Sequence, residues 1–367
     1  MSPNEEAKNE IDRKISIVRK ILKANNLSAV RLRGVDWFAW ATAGASNVVL
    51  LTTDVGIAEV IISADEAFVL TDSIEAERLE EEEIKGSYPI WKAAWQEPQQ
   101  REAFVRELTH AGTVASDMPR DQELPLPKEL REAKCILQPG EVDRYRTLCQ
   151  EAAMAMTETL KDACQSWTGF ELAARGSAAL WSRGIHPALT LVGDERRLPL
   201  YRHATASADT LGDRAMLVFC ARRHGLFANL TRFIYFRDPT ARELRMKHDL
   251  AAIEAEIFDA SRPGVSLGQI YETMRTSYAK FGYPGEIDKH HQGGTCGYLS
   301  REEVARPASE NRIQAGMALA WNPSLIGCKI EDTVLVTDKG LEILTIDPAW
   351  PTFYAEDRMR PDYLVRT

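Results

Sequence analysis

The sequence lacks both an excess of basic residues and any long apolar run, and each absence excludes a class of function. Its 367 residues carry 45 Lys and Arg against 54 Asp and Glu, a formal net charge of −9. A nucleic-acid-binding protein would present a basic face or stripe, so this balance argues against nucleic acid as a partner. No apolar run approaches the roughly 18 residues of a membrane span, so we expect no membrane association.

Cysteine is also scarce, and its spacing indicates no covalent framework. The chain has six cysteines and no Cys-x-x-Cys pair, so we interpret them as free thiols of a reducing compartment. The N-terminal stretch MSPNEEAKNEIDRKISIVRK is charged and lacks the apolar centre of a signal peptide. We therefore expect a cytoplasmic protein. The cysteines are Cys135, Cys149, Cys164, Cys220, Cys296 and Cys328.

At 367 residues the chain is long enough for two domains. Its content of 44% hydrophobic and 27% charged residues is typical of a globular protein with a substantial core. Helical spacing of apolar residues in 8–25 predicts an amphipathic helix. The short apolar runs SAVRL, NVVLLTT, AEVIIS and EAFVLTD predict strands of one sheet. A polar, proline-containing stretch near 125–138 is typical of a linker. We therefore predict domains at 1–132 and 133–367.

From residue 139 onwards, long helical patterns are followed by returning strands and turns, which predicts an α+β domain with helices on a bent antiparallel sheet. Near its end, GMALAWNPSLIGCKIEDTVLV has the pattern of a β-hairpin. Pairing of its two runs would direct Asn322 and Glu331 into the same space. Upstream, KHHQGG places His290 and His291 before glycines that let a ligand approach the backbone. If this stretch is extended, His290 faces away from His291.

The order of these segments resembles the pita-bread family of methionine aminopeptidase, aminopeptidase P, prolidase and creatinase. The resemblance covers roughly residues 139–346, and IEDTVLVTDKGLEILT is similar to the family's final Glu-Asp-Thr-x-x-Val-x-x-x-Gly stretch. The N-terminal segment is similar to the smaller domain of the creatinase, prolidase and aminopeptidase P branch. The resemblance implies a C-terminal pita-bread domain, a smaller N-terminal α/β domain and a homodimer.

The metallopeptidases of this family hold two metal ions on five side chains, and the resemblance maps those positions onto this chain. His291 and Glu331 match a histidine and the last glutamate, whereas Asn229 and Asn322 replace an aspartate and a glutamate. Cys220 stands nearest to the remaining aspartate, at a shorter interval than in the family. Two divalent cations beside about one carboxylate would be poorly compensated, so we expect no dinuclear site and no cofactor.

Creatinase keeps this fold and hydrolyses a C–N bond without metal. By this resemblance we predict a metal-independent hydrolase of a small amide, amidine or guanidino compound, with His291 as general acid or base and Glu331 orienting it. Aminopeptidase P and prolidase carry a histidine directly after a comparable proline, and here the nearest one is His203. Cys220, close to two arginines (Arg222 and Arg223), is a candidate nucleophile.

Polar side chains of the same segments are predicted to bind this small-molecule substrate. Amides donate to a carboxylate or a polarised carbonyl, and arginines bind an acidic group. The second active-site histidine of the peptidases has no clear counterpart in YLSREE, where glutamates are candidate substitutes. The predicted substrate-binding residues are Asn229, Asn322, Arg232, Arg202, His290, Glu302 and Tyr298.

Two other functions remain open from the sequence. One is an Xaa-Pro-type metallopeptidase with a single altered metal site on Cys220, His291 and Glu331, because thiolate, imidazole and carboxylate all suit zinc. The other is a non-catalytic ligand-binding homologue, since replacement of three of five ligands is what loss of activity would leave. Substitution by asparagine at two positions keeps size and polarity, which favours a working site.

Overall fold

The computed structural model describes residues 3–367, which divide into two compact units. The first runs up to Glu141 and includes His224–Leu226, and the second comprises Val142–Arg223 and Phe227–Thr367. The predicted domain boundary after residue 132 stays a prediction. None of the described helices is both long enough and apolar enough to cross a membrane.

The first unit is an α/β structure. Its helices are α1 (Pro3–Ala24), α2 (Val35–Ala41), α3 (Ala76–Arg78), which continues as a π-helical turn at Leu79–Ile84, α4 (Gln99–Leu108) and α5 (Lys128–Cys135). Its strands are β1 (Ala29–Gly34), β2 (Val55–Ser63), β3 (Ala67–Asp72), β4 (Ile90–Ala93), β5 (Val114–Ser116) and β6 (Leu124–Pro125). They form one sheet in the order β4-β3-β2-β1-β5-β6. The amphipathic helix predicted from 8–25 is confirmed, and Ile11, Val18 and Leu22 are buried on its apolar face.

Two predictions about this unit are wrong. NVVLLTT forms no strand; Val49, Leu50 and Leu51 are 59%, 66% and 52% exposed, and pairing of β2 with β1 begins only at Val55. Strand propensity is decided by packing against neighbours, which this run does not find. The predicted linker contains helix α5, which buries Leu130.

The second unit contains two larger antiparallel sheets and long helices, as the α+β prediction required. Its helices are α6 (Pro139–Asp162), α7 (Gly169–Trp181), α8 (Ala241–Ala260) and α9 (Leu267–Lys280), with a short 3₁₀ turn at Ile287–Lys289. Its strands are β7 (His186–Gly193), β8 (Arg214–Arg223), β9 (Leu226–Tyr235), β10 (Gly293–Cys296), β11 (Glu303–Val304), β12 (Ala318–Trp321), β13 (Ser324–Leu325), β14 (Cys328–Lys329), β15 (Asp332–Thr337), β16 (Gly340–Ile343), β17 (Thr352–Ala355), β18 (Arg358–Pro361) and β19 (Leu364–Val365).

The strands of this unit bring distant segments to one place. One sheet has the order β19-β9-β8-β7, in which β19 joins β9 in parallel, and the other has the order β11-β10-β12-β15-β16. An isolated bridge between Thr231 and Glu331 connects β9 of the first sheet to the start of β15 in the second. The predicted hairpin is confirmed, because β12 pairs with β15 and Trp321 lies opposite Asp332.

A buried ion network fixes the start of β15. Asp332 accepts from Arg232 of β9 at 2.8 Å and from Arg360 of β18 at 2.7 Å. Arg360 also pairs with Glu254 of α8 at 2.6 Å. Breaking one partner of such a buried network strands a charge, which typically costs about 3–5 kcal/mol. The network therefore fixes the position of Asp332, which directly follows Glu331 in the chain.

Candidate active site

Glu331 is buried, and its carboxylate is bound by groups of its own chain. Oε1 lies 2.8 Å from Nη2 of Arg301, and Oε2 lies 2.7 Å from Nζ of Lys329. Thr231 donates its hydroxyl to Oε2 at 2.7 Å. We call Glu331, Lys329, Arg301 and Thr231 the Glu331 cluster. Two cations and one carboxylate give this cluster one excess positive charge.

The charges of this cluster determine the ionisation of Glu331. Burial alone would raise the pKa of its carboxyl, but the positive charges of Lys329 and Arg301 outweigh burial. Hydrogen bonds from Lys329 and Thr231 act in the same direction, and together they lower the pKa to about 2. Glu331 is therefore an anion at neutral pH.

The two metal ions implied by the family resemblance do not fit these residues. Both oxygens of Glu331 already contact cationic side chains of the protein. Asn229 and Asn322 provide neutral amides where carboxylates would be needed. A dinuclear centre would thus place two ions beside an arginine and a lysine with a single carboxylate to compensate all of them.

Three histidines lie together in the second unit. His203 belongs to the segment between β7 and β8, and His290 and His291 follow the 3₁₀ turn. Nε2 of His203 and Nε2 of His290 are 2.9 Å apart. The rings of His290 and His291 stack with centroids 4.6 Å apart and an interplanar angle of 24°. We call these residues the histidine cluster.

The prediction that His290 faces away from His291 is wrong. Alternation of side chains belongs to a pleated strand, and β10 begins only at Gly293. His290 itself has an extended backbone, with φ −163° and ψ 142°. Because both residues precede the strand, the alternation of a pleated strand does not apply to them, and their rings stack on the same side.

All three imidazoles have lowered pKa values. Loss of solvation by the surrounding side chains is the largest cause in each case, although His203 and His291 keep part of their surface in solvent and only His290 is buried. The charge of Lys329 contributes next at His290, whose pKa falls to about 2, and that of Arg301 at His291, whose pKa falls to about 4. The Glu331 cluster therefore acts electrostatically on the histidine cluster, and the imidazoles are neutral at neutral pH.

Hydrogen bonds from Ser324 and the residues around it fix the orientation of the His290 ring. Its Nδ1 lies 3.2 Å from Oγ of Ser324, which also accepts from Nη1 of Arg202 at 3.2 Å. Arg202 forms an ion pair with Glu286. The Ser324 amide donates to the Tyr278 hydroxyl at 2.8 Å. Arg202, predicted to bind substrate, is placed so that it supports a histidine through Ser324.

Asn229 and Asn322 are buried amides with an unused acceptor each. They are 0% and 2% exposed, and neither Oδ1 has a hydrogen-bond partner among the described residues. Leaving a buried acceptor unpaired typically costs about 1–3 kcal/mol. Their backbone amides are bonded, to Oγ1 of Thr333 and to the carbonyl of Gln292 respectively. Each side-chain amide thus has one oxygen that no donor among the described residues satisfies.

The other predicted site residues have different environments. Burial raises the pKa of the Cys220 thiol to about 12, and the negative charge of Glu331 adds to that effect, which disfavours a nucleophilic thiolate. Arg232 is bound to Asp332 and to the carbonyl of Thr345, so it joins strands. Tyr298 is buried, and Glu302 accepts from the amide of Leu299 in the turn after β10.

Arg301 and Lys329 are the site residues that the sequence analysis missed. Charged residues in SREE and GCKIED are most often solvated, and nothing local marks them as buried. One signal was present for Lys329, because residues two apart on an extended segment face the same side, and Glu331 is two positions on. Arg301 gave no comparable signal.

Comparison with known proteins agrees with this architecture. Residues 143–338, more than half of the chain, match the sequence model of metallopeptidase family M24. An uncharacterized peptidase of Staphylococcus aureus (strain MW2) is 28% identical over 159 residues, covering 39% of this chain and 44% of that protein. The match thus spans less than half the length of this curated relative.

Solved structures share the fold over nearly the whole chain. The Xaa-Pro dipeptidase from Bacillus anthracis has a TM-score of 0.79 at 18% identity, covering 97% of this chain and 99% of that one. The prolidase from Pyrococcus horikoshii OT3 has a TM-score of 0.75 at 18% identity, covering 91% and 98%. At such identities the likeness establishes the two-part pita-bread fold.

Proposed function

The chain belongs to metallopeptidase family M24, and we propose that it hydrolyses a C–N bond. We further propose that no metal ion is bound at the position of the family's metal-binding carboxylates during this reaction. The observation that carries this proposal is that each carboxylate oxygen of Glu331 forms an ion pair with a protein cation, Oε2 with Lys329 at 2.7 Å and Oε1 with Arg301 at 2.8 Å. Two protein cations stand where the family's carboxylate would bind metal. The proposed substrate is a small amide, amidine or guanidino compound.

In this proposal the Glu331 cluster supplies fixed positive charge. Lys329 and Arg301 are held by Glu331 before any substrate arrives, so no reorganisation accompanies the reaction. Their excess charge favours a substrate carboxylate or the negative charge that develops on a carbonyl oxygen. No hydrogen bond joins Glu331 to His291 among the described residues, so Glu331 serves to position the cations.

His291 is the proposed general base. Its imidazole is exposed and, with a pKa lowered to about 4, is neutral at neutral pH. A neutral imidazole accepts a proton from the attacking water and can return it to the leaving nitrogen. The charge of Arg301, the main electrostatic cause of the lowered pKa, relates the base to the cationic cluster.

The unpaired amide oxygens support the choice of substrate class. Oδ1 of Asn229 and Oδ1 of Asn322 are acceptors without a donor among the described residues, and amide, amidine and guanidino groups can all provide N–H donors. A compound that carries such a group together with a carboxylate would satisfy both the amides and the cations. Peptides with a free amine would meet like charge at Lys329 and Arg301.

The test is turnover by the chelator-treated protein on a panel of small amides, amidines and guanidino compounds with and without a carboxylate. We expect hydrolysis to persist after metal removal and to be lost in His291→Ala and Lys329→Met. Lys280→Met, at an exposed lysine paired with Glu256, is the matched control.

Other results would replace the proposal. Activity that disappears on chelation and returns with manganese or zinc would support a single-metal Xaa-Pro-type peptidase. Tight ligand binding in the wild type and in His291→Ala, with no turnover in either, would support a non-catalytic homologue.

A further inference from the structure

The histidine cluster brings three imidazoles close enough together to converge on one metal ion. One ring nitrogen of each of His203, His290 and His291 lies within 4.8 Å of the other two. At a bond length of about 2.0–2.1 Å, two nitrogens on a tetrahedral zinc ion lie roughly 3.4 Å apart, so small side-chain rotations must draw the more distant nitrogens together. We infer that these three imidazoles bind one divalent transition-metal ion of the zinc type, without using the carboxylate of Glu331, whose oxygens contact Lys329 and Arg301.

The ligand set suits this class of ion. Imidazole nitrogen favours Zn²⁺, Cu²⁺ and Ni²⁺ over Mg²⁺ and Ca²⁺. Three protein ligands leave a fourth tetrahedral position for water or another small ligand. His203 and His291 are exposed while His290 is buried, so an ion can arrive from solvent onto a fixed inner ligand.

A metal ion can replace the hydrogen that lies between the Nε2 atoms of His203 and His290. Two ring nitrogens 2.9 Å apart attract each other only when one of them carries a hydrogen. In the tautomer of His290 whose Nδ1–H donates to Oγ of Ser324, Nε2 of His290 is the acceptor and Nε2–H of His203 is the donor. Ion binding then moves the hydrogen of His203 to its own Nδ1, so the imidazoles stay neutral and no proton is lost.

Ser324 acts as the positioning residue of this site. Metal-binding histidines commonly donate their second ring nitrogen to a polar partner that fixes the ring. Here Oγ of Ser324 lies 3.2 Å from Nδ1 of His290, and the serine is itself held by Arg202 and Tyr278. Because these contacts fix the ring of His290, that ligand loses little freedom on binding an ion.

The neighbouring Glu331 cluster shapes what the ion can do. Its one excess positive charge lowers the affinity of the histidine cluster for any cation and favours an anionic fourth ligand, such as chloride, hydroxide or a carboxylate, that offsets this repulsion. Coordination also occupies the lone pair of His291. The consequence that zinc inhibits turnover rests on the proposed function, whereas the binding itself does not.

The test titrates the chelator-treated full chain with Co²⁺ and Zn²⁺. We expect one ion per chain by calorimetry, with the visible absorption of tetrahedral Co²⁺. His203→Ala, His290→Ala and His291→Ala should each weaken binding at least 100-fold, and Ser324→Ala about 10–100-fold. His248→Ala, at a histidine packed on Phe353, should not change it. A Cys164→Ser background removes a partly exposed thiol.

Stoichiometric binding that survives all three histidine variants would overturn the site, as would wild-type binding no tighter than that of the triple variant. Thermal melting of each metal-free variant separates lost binding from lost folding, and Ser324→Ala keeps the test usable if His290→Ala does not fold. Binding that is intact in the wild type but does not inhibit turnover would contradict the role of His291 and leave the site in place.

Discussion

The amine of Lys329 lies 2.7 Å from Oε2 of Glu331, and both side chains are buried. The pair lies just before β15, the second strand of the hairpin. Asn322, directly after the first strand β12, carries an unpaired side-chain amide oxygen. A carboxylate that could bind metal is instead neutralised within the chain.

Lys329→Met should destabilise the fold moderately, because Glu331 loses one of its two cationic partners while Arg301 still neutralises its charge. A hydrogen bond to a charged group typically contributes about 1.5–3 kcal/mol, which is the loss we expect. Urea denaturation of wild type and variant gives the difference directly. Lys280→Met, at an exposed ion pair, should change stability little. Equal effects of the two substitutions would show that the Glu331 cluster is not the buried network described.

Stability should depend on pH through Glu331. The pKa of its carboxyl is lowered from 4.5 to about 2 in the folded protein, so the contribution is full above about 4.5 and disappears as pH falls towards about 2. A shift of this size corresponds to roughly 3 kcal/mol. Between these pH values, unfolding measurements should show a smaller acid loss for Glu331→Gln than for wild type. Parallel curves for the two proteins would refute the assignment.

Asn322→Glu combined with Asn229→Asp should not create a manganese-dependent peptidase. Two carboxylates return, but Lys329 and Arg301 still occupy both oxygens of Glu331. Hydrolysis of Xaa-Pro dipeptides with and without added Mn²⁺ measures this. Strong manganese-dependent cleavage by the double variant would mean that the cations are displaced easily.

Cys220 should resist alkylation in the native protein. Burial raises the pKa of its thiol to about 12, so little thiolate forms at mildly alkaline pH. Mass spectrometry after brief iodoacetamide treatment should find Cys164 modified before Cys220; both residues are partly exposed, so the raised pKa of Cys220 and not lack of access should separate them. Rapid modification of Cys220, together with loss of turnover, would restore the nucleophile hypothesis.

Local patterns predicted some elements correctly and others not. The helix around Ile11 and Val18 and the hairpin from β12 to β15 follow from periodicity and turn residues, which are properties of short segments. NVVLLTT has the same apolar composition as a strand, yet Leu50 is 66% exposed. Composition does not state whether a neighbouring strand is available, so this prediction could not succeed from sequence.

The sequence by itself determined the family and the fold class, since these depend on residue type and order along the chain. Only the tertiary structure decided which groups meet. His203 and His290 are 87 positions apart and touch at 2.9 Å, and Arg301 reaches Glu331 across 30 positions. Charge compensation and ligand convergence arise from burial in three dimensions, where residues distant along the chain share one low-dielectric space.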